Sequence, residues 1–385
     1  MILVNIENHT TTPIHFQNEL YNYKGVKNML TKWETLFLLI MTLPVMGHVL
    51  ILPIMLDVAG RDAWISVLLS LPAAFAFAYA IYRLRLNHPD ITISEMFSLL
   101  LGKWFGRIIV VLFILYFLFL TVLSFSALVD VVFIDFLPET PRMAILIWFL
   151  IFFFYAATKG IKRIALTAGV LALISLITGH TVTLMDTPKK EWSELQPLLE
   201  FGWSPALWGT LILISIWIEL LLLLCVPIKN IHEKRLFLLW IIGILLNALM
   251  MTSTITGVVT IFGLGQADNF TYPATEIVRI INLGFIDRFD IYGMILMTFG
   301  TYIRCSLYFR IAYNMSVSAN SSKWVKRILF SLFVVLIFFG TLYLSKEHFR
   351  ITEAINIYTY MIVLFPIPFL LLFISQIVKK KEKQK

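Results

Sequence analysis

Long apolar runs follow one another along most of the chain, separated by short polar connections. A helix needs about 20 mostly apolar residues to cross the hydrocarbon core of a bilayer. That measure predicts ten spans, at residues 34–56, 62–84, 106–135, 141–158, 162–185, 205–228, 236–264, 290–313, 325–344 and 354–378. Several are continuously apolar, as in Ile109–Leu123, and so lack the in-and-out alternation of a transmembrane barrel. The pattern predicts an all-α polytopic membrane protein with one membrane domain at 34–378. A cytoplasmic arm (1–33) and a basic cytoplasmic tail (379–385) flank it. Met29 is a plausible alternative initiator within the arm.

The proline- and glutamate-bearing loop 186–204 separates five spans from five. An odd number of spans turns a second copy upside down, so two inverted repeats are expected, 34–185 and 205–378. No self-similarity is visible between them.

Three segments break the apolar pattern. The first span carries Pro44, Gly47 and His48 near mid-depth. Proline removes a helix hydrogen bond, and backbone freed inside a membrane persists only where protein or a wet cavity satisfies it. The interruption is therefore either a ligand cradle or a simple kink. Between the second and third spans, Thr92 and Glu95 have capping-box spacing and Gly102 is a natural stop. This predicts a short amphipathic helix at the interface. After the seventh span, Pro273 opens a helix that Gly284 can end, with Glu276 and Arg279 spaced to pair.

Composition agrees with a lipid solvent: 59% hydrophobic, 14% charged, mean hydropathy +0.86. A soluble fold of 385 residues could not hide that much apolar surface. The net charge of +8 is not a nucleic-acid signal. With a cytoplasmic N-terminus, twenty-two basic residues fall on inner segments and eight on outer ones, which places both termini inside. Cys225 and Cys305 lie within spans and form no disulfide or metal pattern. No glycine-rich phosphate loop, paired-histidine zinc motif or nucleophile–base constellation is present, so neither an enzyme nor a cofactor is expected.

Charge inside lipid is costly and needs a reason. Glu219 in the sixth span and Arg304 in the eighth each lie fourteen residues past the start of a descending helix, after Pro205 and Asp290. At about 1.5 Å rise per residue they reach similar depth, which predicts a buried pair. Such a pair either pins two helices or faces a charged ligand. Asp130 lies near the outer end of the third span and is expected to snorkel to the boundary. His48 and His180 are candidate proton carriers or ordinary interior histidines. Thr252–Thr256, Thr298, Thr301 and Tyr302 could line a path or bond neighbouring helices.

The chain resembles the spore germination permease family, the B subunits of GerA-type nutrient germinant receptors of endospore-forming bacteria. The residues behind this are Gly47–Pro53, Leu101–Gly106, Glu219 approaching Pro227, and the outer segment Tyr272-Pro273 through Arg279 to Asp290. The resemblance covers about residues 31–380. It implies a fold like amino acid–polyamine–organocation transporters, with ligand beside broken first and sixth helices and the third and eighth completing the pocket. Carried onto this chain, the ligand-binding residues are Met46, Gly47 and His48, Phe125 and Ser126, Trp217 and Glu219, and Thr301 and Arg304. The sixth span has no Gly or Pro between Gly209 and Pro227, so a break there is not visible in the sequence and the unwound-helix pocket is secure only on the first-span side. The resemblance also implies a small-molecule germinant such as an amino acid, a larger A subunit, a C-subunit lipoprotein, and the spore inner membrane. The alternative is a proton-coupled secondary amino acid transporter.

Overall fold

The structure, a computed structural model, describes residues 29–89, 91–281, 289–317 and 321–382, without the side chains of His48, Lys381 and Glu382. The expected helix end at Gly284, most of the N-terminal arm and the last lysines lie outside the described residues. Among those described the fold is all-α. Its one β feature is a single bridge between Leu30 and Ile228.

In chain order the helices are α1 (Lys32–Thr42), α2 (Leu52–Ala59), α3 (Ala63–Asn87), α4 (Ile93–Val131) and α5 (Arg142–Thr158). Then come α6 (Ile161–Asp186), α7 (Trp203–Trp217), α8 (Leu222–Cys225), α9 (Leu236–Phe262) and α10 (Leu264–Ala267). The last are α11 (Pro273–Arg279), α12 (Asp290–Ser316), α13 (Lys323–Leu344), α14 (His348–Tyr360) and α15 (Ile367–Glu382). Among the described residues, seven helical stretches are long and apolar enough to cross a membrane: Leu52–Asn87, Ile93–Phe136, Ile161–Lys189, Trp203–Cys225, Leu236–Phe262, Lys323–Leu344 and His348–Lys380. The three other expected spans are helical but fail that measure. The first is cut at Pro44, α5 has only 17 residues, and α12 is rich in polar groups.

Local chemistry sets the starts and stops. Thr31 and Glu34 close a capping box on α1, and Glu34 also pairs with Lys162 Nζ at 2.6 Å. Thr92 and Glu95 do the same for α4. Gly102 then leaves helical geometry at φ 79°, so the expected short helix is the first limb of α4 and kinks where predicted. Beyond the kink Trp104 and Phe105 are 82% and 70% exposed, as suits interfacial aromatics.

Small residues and interhelical hydrogen bonds bring the helices together, as expected where lipid offers no hydrophobic drive. Gly209 of α7 lies against Ser66, whose hydroxyl donates to the Ala206 carbonyl at 2.9 Å. Gly243 of α9 lies against Leu39, and Asn247 donates to the Leu39 carbonyl at 3.2 Å. Arg85 of α3 closes the C-terminal end of α8 by donating to the carbonyls of Leu223 and Val226, groups a helix end leaves without partners.

Three spans depart from regular α-helix. The first span is π-helical from Val45 to Leu50 rather than unwound, with Gly47 N donating to Leu43 O at 3.1 Å and Ile51 N to Met46 O at 3.0 Å. The sixth span does change its winding, to a 3₁₀ turn at Ile218–Leu221, without Gly or Pro. The tenth is also interrupted, by a 3₁₀ turn at Met361–Leu364 before Pro366. Pro366 cannot supply the amide that would continue the helix.

Candidate functional site

Arg304 of α12 lies at the meeting of five spans and is fully buried. Its Nη2 donates to Glu219 Oε1 at 2.7 Å and its Nη1 to Glu219 Oε2. Nη1 also donates to the Thr42 carbonyl at 2.6 Å, and Nε to Ser124 Oγ at 2.7 Å. Thr42 ends α1 just before the π-turn, so the guanidinium satisfies backbone beside the proline interruption. The 3₁₀ turn places Glu219 so that Tyr308 and Tyr358 also donate to it, at 2.6 and 2.8 Å. Tyr358 comes from α14, and the Arg304 guanidinium lies 4.9 Å from the centre of the Tyr308 ring.

The predicted pair therefore exists, and it is bidentate. Each carboxylate oxygen accepts two hydrogen bonds, and four of the five N–H groups of Arg304 donate. Fully satisfied in this way, the cluster clamps spans one, three, six, eight and ten. Unsatisfied hydroxyls border it: Thr301 and Ser306 on α12 and Tyr116 on α4 are buried without partners.

The other proposed ligand residues divide. Met46 is buried beside the π-turn, and a Cβ on Gly47 would stand 2.5 Å from Met251 Sδ, so α9 presses on that turn. Trp217 faces α3, donating to Ser70 Oγ at 2.9 Å. Ser126 bonds within its own helix, to Val122 O at 2.8 Å. Phe125 packs edge-on against Phe153 and lines a separate apolar cavity with Thr298 and Tyr302. Trp217, Ser126 and Phe125 thus face different neighbours. A cavity of about 280 Å³ lies behind the π-turn instead, on the other side of Pro44, Val45 and Gly300. His180 lines it, with Nδ1 2.7 Å from Leu176 O.

Asp130 overturns the expectation of a snorkelling side chain. It is fully buried, with Arg142 Nη2 at 3.1 Å, His348 Nδ1 at 2.7 Å and the Tyr272 hydroxyl at 2.7 Å. Burial, then the Asp130 carboxylate, hold the Tyr272 phenol well above its ordinary pKa, so it remains a donor. Arg142 also donates to Ser345 O at 2.6 Å. Nearby, Asp135 accepts from Thr275 at 2.8 Å, and Arg279 pairs with Glu276 at 2.5 Å, as the spacing predicted. These contacts fasten α11 and the starts of α5 and α14 to the end of α4. Sequence alone gave no sign of it, because its partners lie 12 to 218 residues from Asp130.

Known proteins are similar in sequence. The profile of the family described as spore germination protein matches residues 29–350. Spore germination protein XB of Bacillus anthracis is 29% identical over 282 residues, which cover 72% of this chain and 78% of that protein. Spore germination protein KB of Bacillus subtilis (strain 168) is 21% identical over 348 residues, 86% of this chain and 90% of that one. Spore germination protein YndE of the same organism is 33% identical over 148 residues, 38% and 41% of the two chains. With apolar helices fit to cross a bilayer and a match over most of its length, this integral membrane protein belongs to the spore germination permease family.

Proposed function

We propose that this chain is the B subunit of a nutrient germinant receptor in the spore inner membrane. It binds a small germinant, an amino acid, within the membrane and passes the signal to an A subunit and a C-subunit lipoprotein. Ten spans in two inverted five-helix repeats, with both termini on the cytoplasmic side, are part of this reading. The asymmetry of basic residues and the five-plus-five spacing support it.

One observation carries the reading most. A single buried guanidinium joins the interrupted first helix, at Thr42, to the 3₁₀ turn of the sixth, at Glu219. The two irregular helices are mechanically coupled through one side chain, so displacement of either must disturb the other. A ligand shifts such an equilibrium only by binding its two states unequally. Contact with one irregular helix in only one state would meet that requirement.

The test is a deletion strain assayed for germination against a nutrient panel and complemented with Glu219→Gln and Gly47→Leu. Both variants reach the membrane and fail to restore the response. Normal germination from both would overturn the reading. The transporter alternative predicts that vesicles containing this chain alone accumulate a labelled amino acid and lose that uptake with Glu219→Gln.

A further inference from the structure

The cavity of about 280 Å³ is walled by the first span (Ile40, Val45, Val49) and by α6, α9 and α12, with α11 across its outer end. Most of this wall is apolar. Two polar atoms on it stand without partners. Asp186 Oδ1 and Ser175 Oγ accept or donate no hydrogen bond, although their residues are only 1% and 8% exposed. The neighbouring hydroxyls are engaged: Thr183 with Gly179 O and Ser253 Oγ, each at 3.2 Å, and Thr254 with Met250 O at 3.0 Å. Asp290, also on the wall, has an interaction of its own.

Lys190 follows Asp186 by one turn and lies on the same wall. It has no carboxylate within ion-pair distance among the described residues, and its Nζ lies 5.9 Å from the centre of the Trp192 ring. Its neighbour Lys189 is turned away, donating to the Ile280 carbonyl. Burial lowers the Lys190 pKa, and the Asp186 charge offsets part of that. The cavity thus offers one unpaired acid, one unpaired base and a greasy remainder. Leaving a buried carboxylate oxygen unbonded is costly, so the site is built for something that bonds it.

We propose that this cavity is a second binding site, separate from the Glu219–Arg304 cluster, for a small zwitterion with an aliphatic body. The ammonium meets Asp186, the carboxylate meets Lys190 one turn away, and the aliphatic body lies along the apolar wall; Ser175, about 16 Å deeper along the same helix, is not part of the charged end. A simple amine would be attracted by Asp186 and repelled by Lys190; a simple acid would suffer the reverse. Only a molecule carrying both charges satisfies both ends. At about 280 Å³ the cavity lies just below the range of about 300–1,000 Å³ usual for small-molecule sites, which suits a ligand as small as leucine. The walls come from α1 and α6 on one side and from α9, α11 and α12 on the other, so occupancy would depend on how the two halves sit. The proposal rests on the receptor reading for its biological use, but not for binding.

The experiment uses the full chain in nanodiscs and measures binding by calorimetry. The probes are leucine, its decarboxylated analogue isopentylamine and its deaminated analogue 4-methylpentanoate. Leucine gives a saturable signal, and each analogue binds at least about tenfold more weakly, a difference of about 1.4 kcal/mol. Asp186→Asn and Lys190→Gln each weaken leucine at least about tenfold, while the size-exclusion profile and melting temperature stay near wild type, since neither change breaks an ion pair. Ser253→Phe, which fills the space, abolishes the signal. Absence of saturable binding by leucine, isoleucine and valine up to about 10 mM would overturn the proposal. So would equal binding by the wild type and the Asp186 and Lys190 variants, which would place the ligand elsewhere. Binding that depends on Asp186, in a strain whose germination ignores the Asp186→Asn change, would keep this site and remove the receptor reading of it.

Discussion

Removing Arg304 or Glu219 alone should cost more than removing both. Arg304→Met leaves the Glu219 carboxylate in a fully buried place with only the Tyr308 and Tyr358 hydroxyls, and it strips the Thr42 carbonyl of a donor. Breaking one side of a buried pair costs about 3–5 kcal/mol. Glu219→Leu should be the worse of the two. A stranded carboxyl can take up a proton, whereas a guanidinium cannot give one away. The double variant Glu219→Leu with Arg304→Met removes both charges. It leaves the Thr42 carbonyl and the Tyr308 hydroxyl short of partners, at about 1–3 kcal/mol each. Tyr358 keeps the Ser215 carbonyl at 3.1 Å, and Ser124 keeps Leu120 at 2.7 Å. Losing the desolvation penalty of an ion pair returns about 1–4 kcal/mol, so the double should cost about 1.5 kcal/mol at the centre of a range from about 2 gained to about 5 lost, below either single change at its centre. Reversible unfolding in mixed micelles, followed by tryptophan fluorescence, measures all three variants in one cycle. Additivity of the two single changes within about 0.5 kcal/mol would refute the reasoning, because the side chains would then not interact.

Gly106→Ala places a Cβ 2.8 Å from the backbone carbon and oxygen of Phe97, atoms that cannot rotate away. The first limb of α4 should be pushed off, lowering stability by about 1–3 kcal/mol and speeding proteolysis near Gly102. Gly47→Ala meets only the flexible end of Met251 and should be tolerated within about 1 kcal/mol, whereas Gly47→Leu should overpack the π-turn and abolish germination at normal expression. Asp130→Asn should loosen α5, α11 and α14 together, detected as parallel loss of hydrogen-exchange protection near Arg142, Tyr272 and His348; loss at one of them alone would disprove a shared hub. Tyr272→Phe should weaken the same hub by about 1 kcal/mol, since it removes one donor and no charge.

Where hydrophobic segments run and where their helices are capped follow from one-dimensional rules. Lipid demands long apolar helices, so the seven stretches fit to cross a membrane were visible as apolar runs in the sequence. Thr92 with Glu95, Gly102, Pro273 and the Glu276–Arg279 spacing act over a few residues and needed no tertiary context. Equal depth along two parallel helices was enough to pair Glu219 with Arg304. The π-turn at Val45 and the 3₁₀ turn at Ile218 were another matter: hydrogen bonds from distant side chains hold both irregularities in place. Pro366 was a signal in the sequence, and its interruption of the last span could have been predicted. Rotation about each helix axis decided the rest. It turned Phe125 toward Phe153 and Trp217 toward Ser70, drew Asp130 inward to Arg142, and set Asp186 and Lys190 on the wall of a cavity. Periodicity cannot supply that information in a helix that is apolar on every face, because side-chain packing between helices, rather than contrast with water, fixes which face points in.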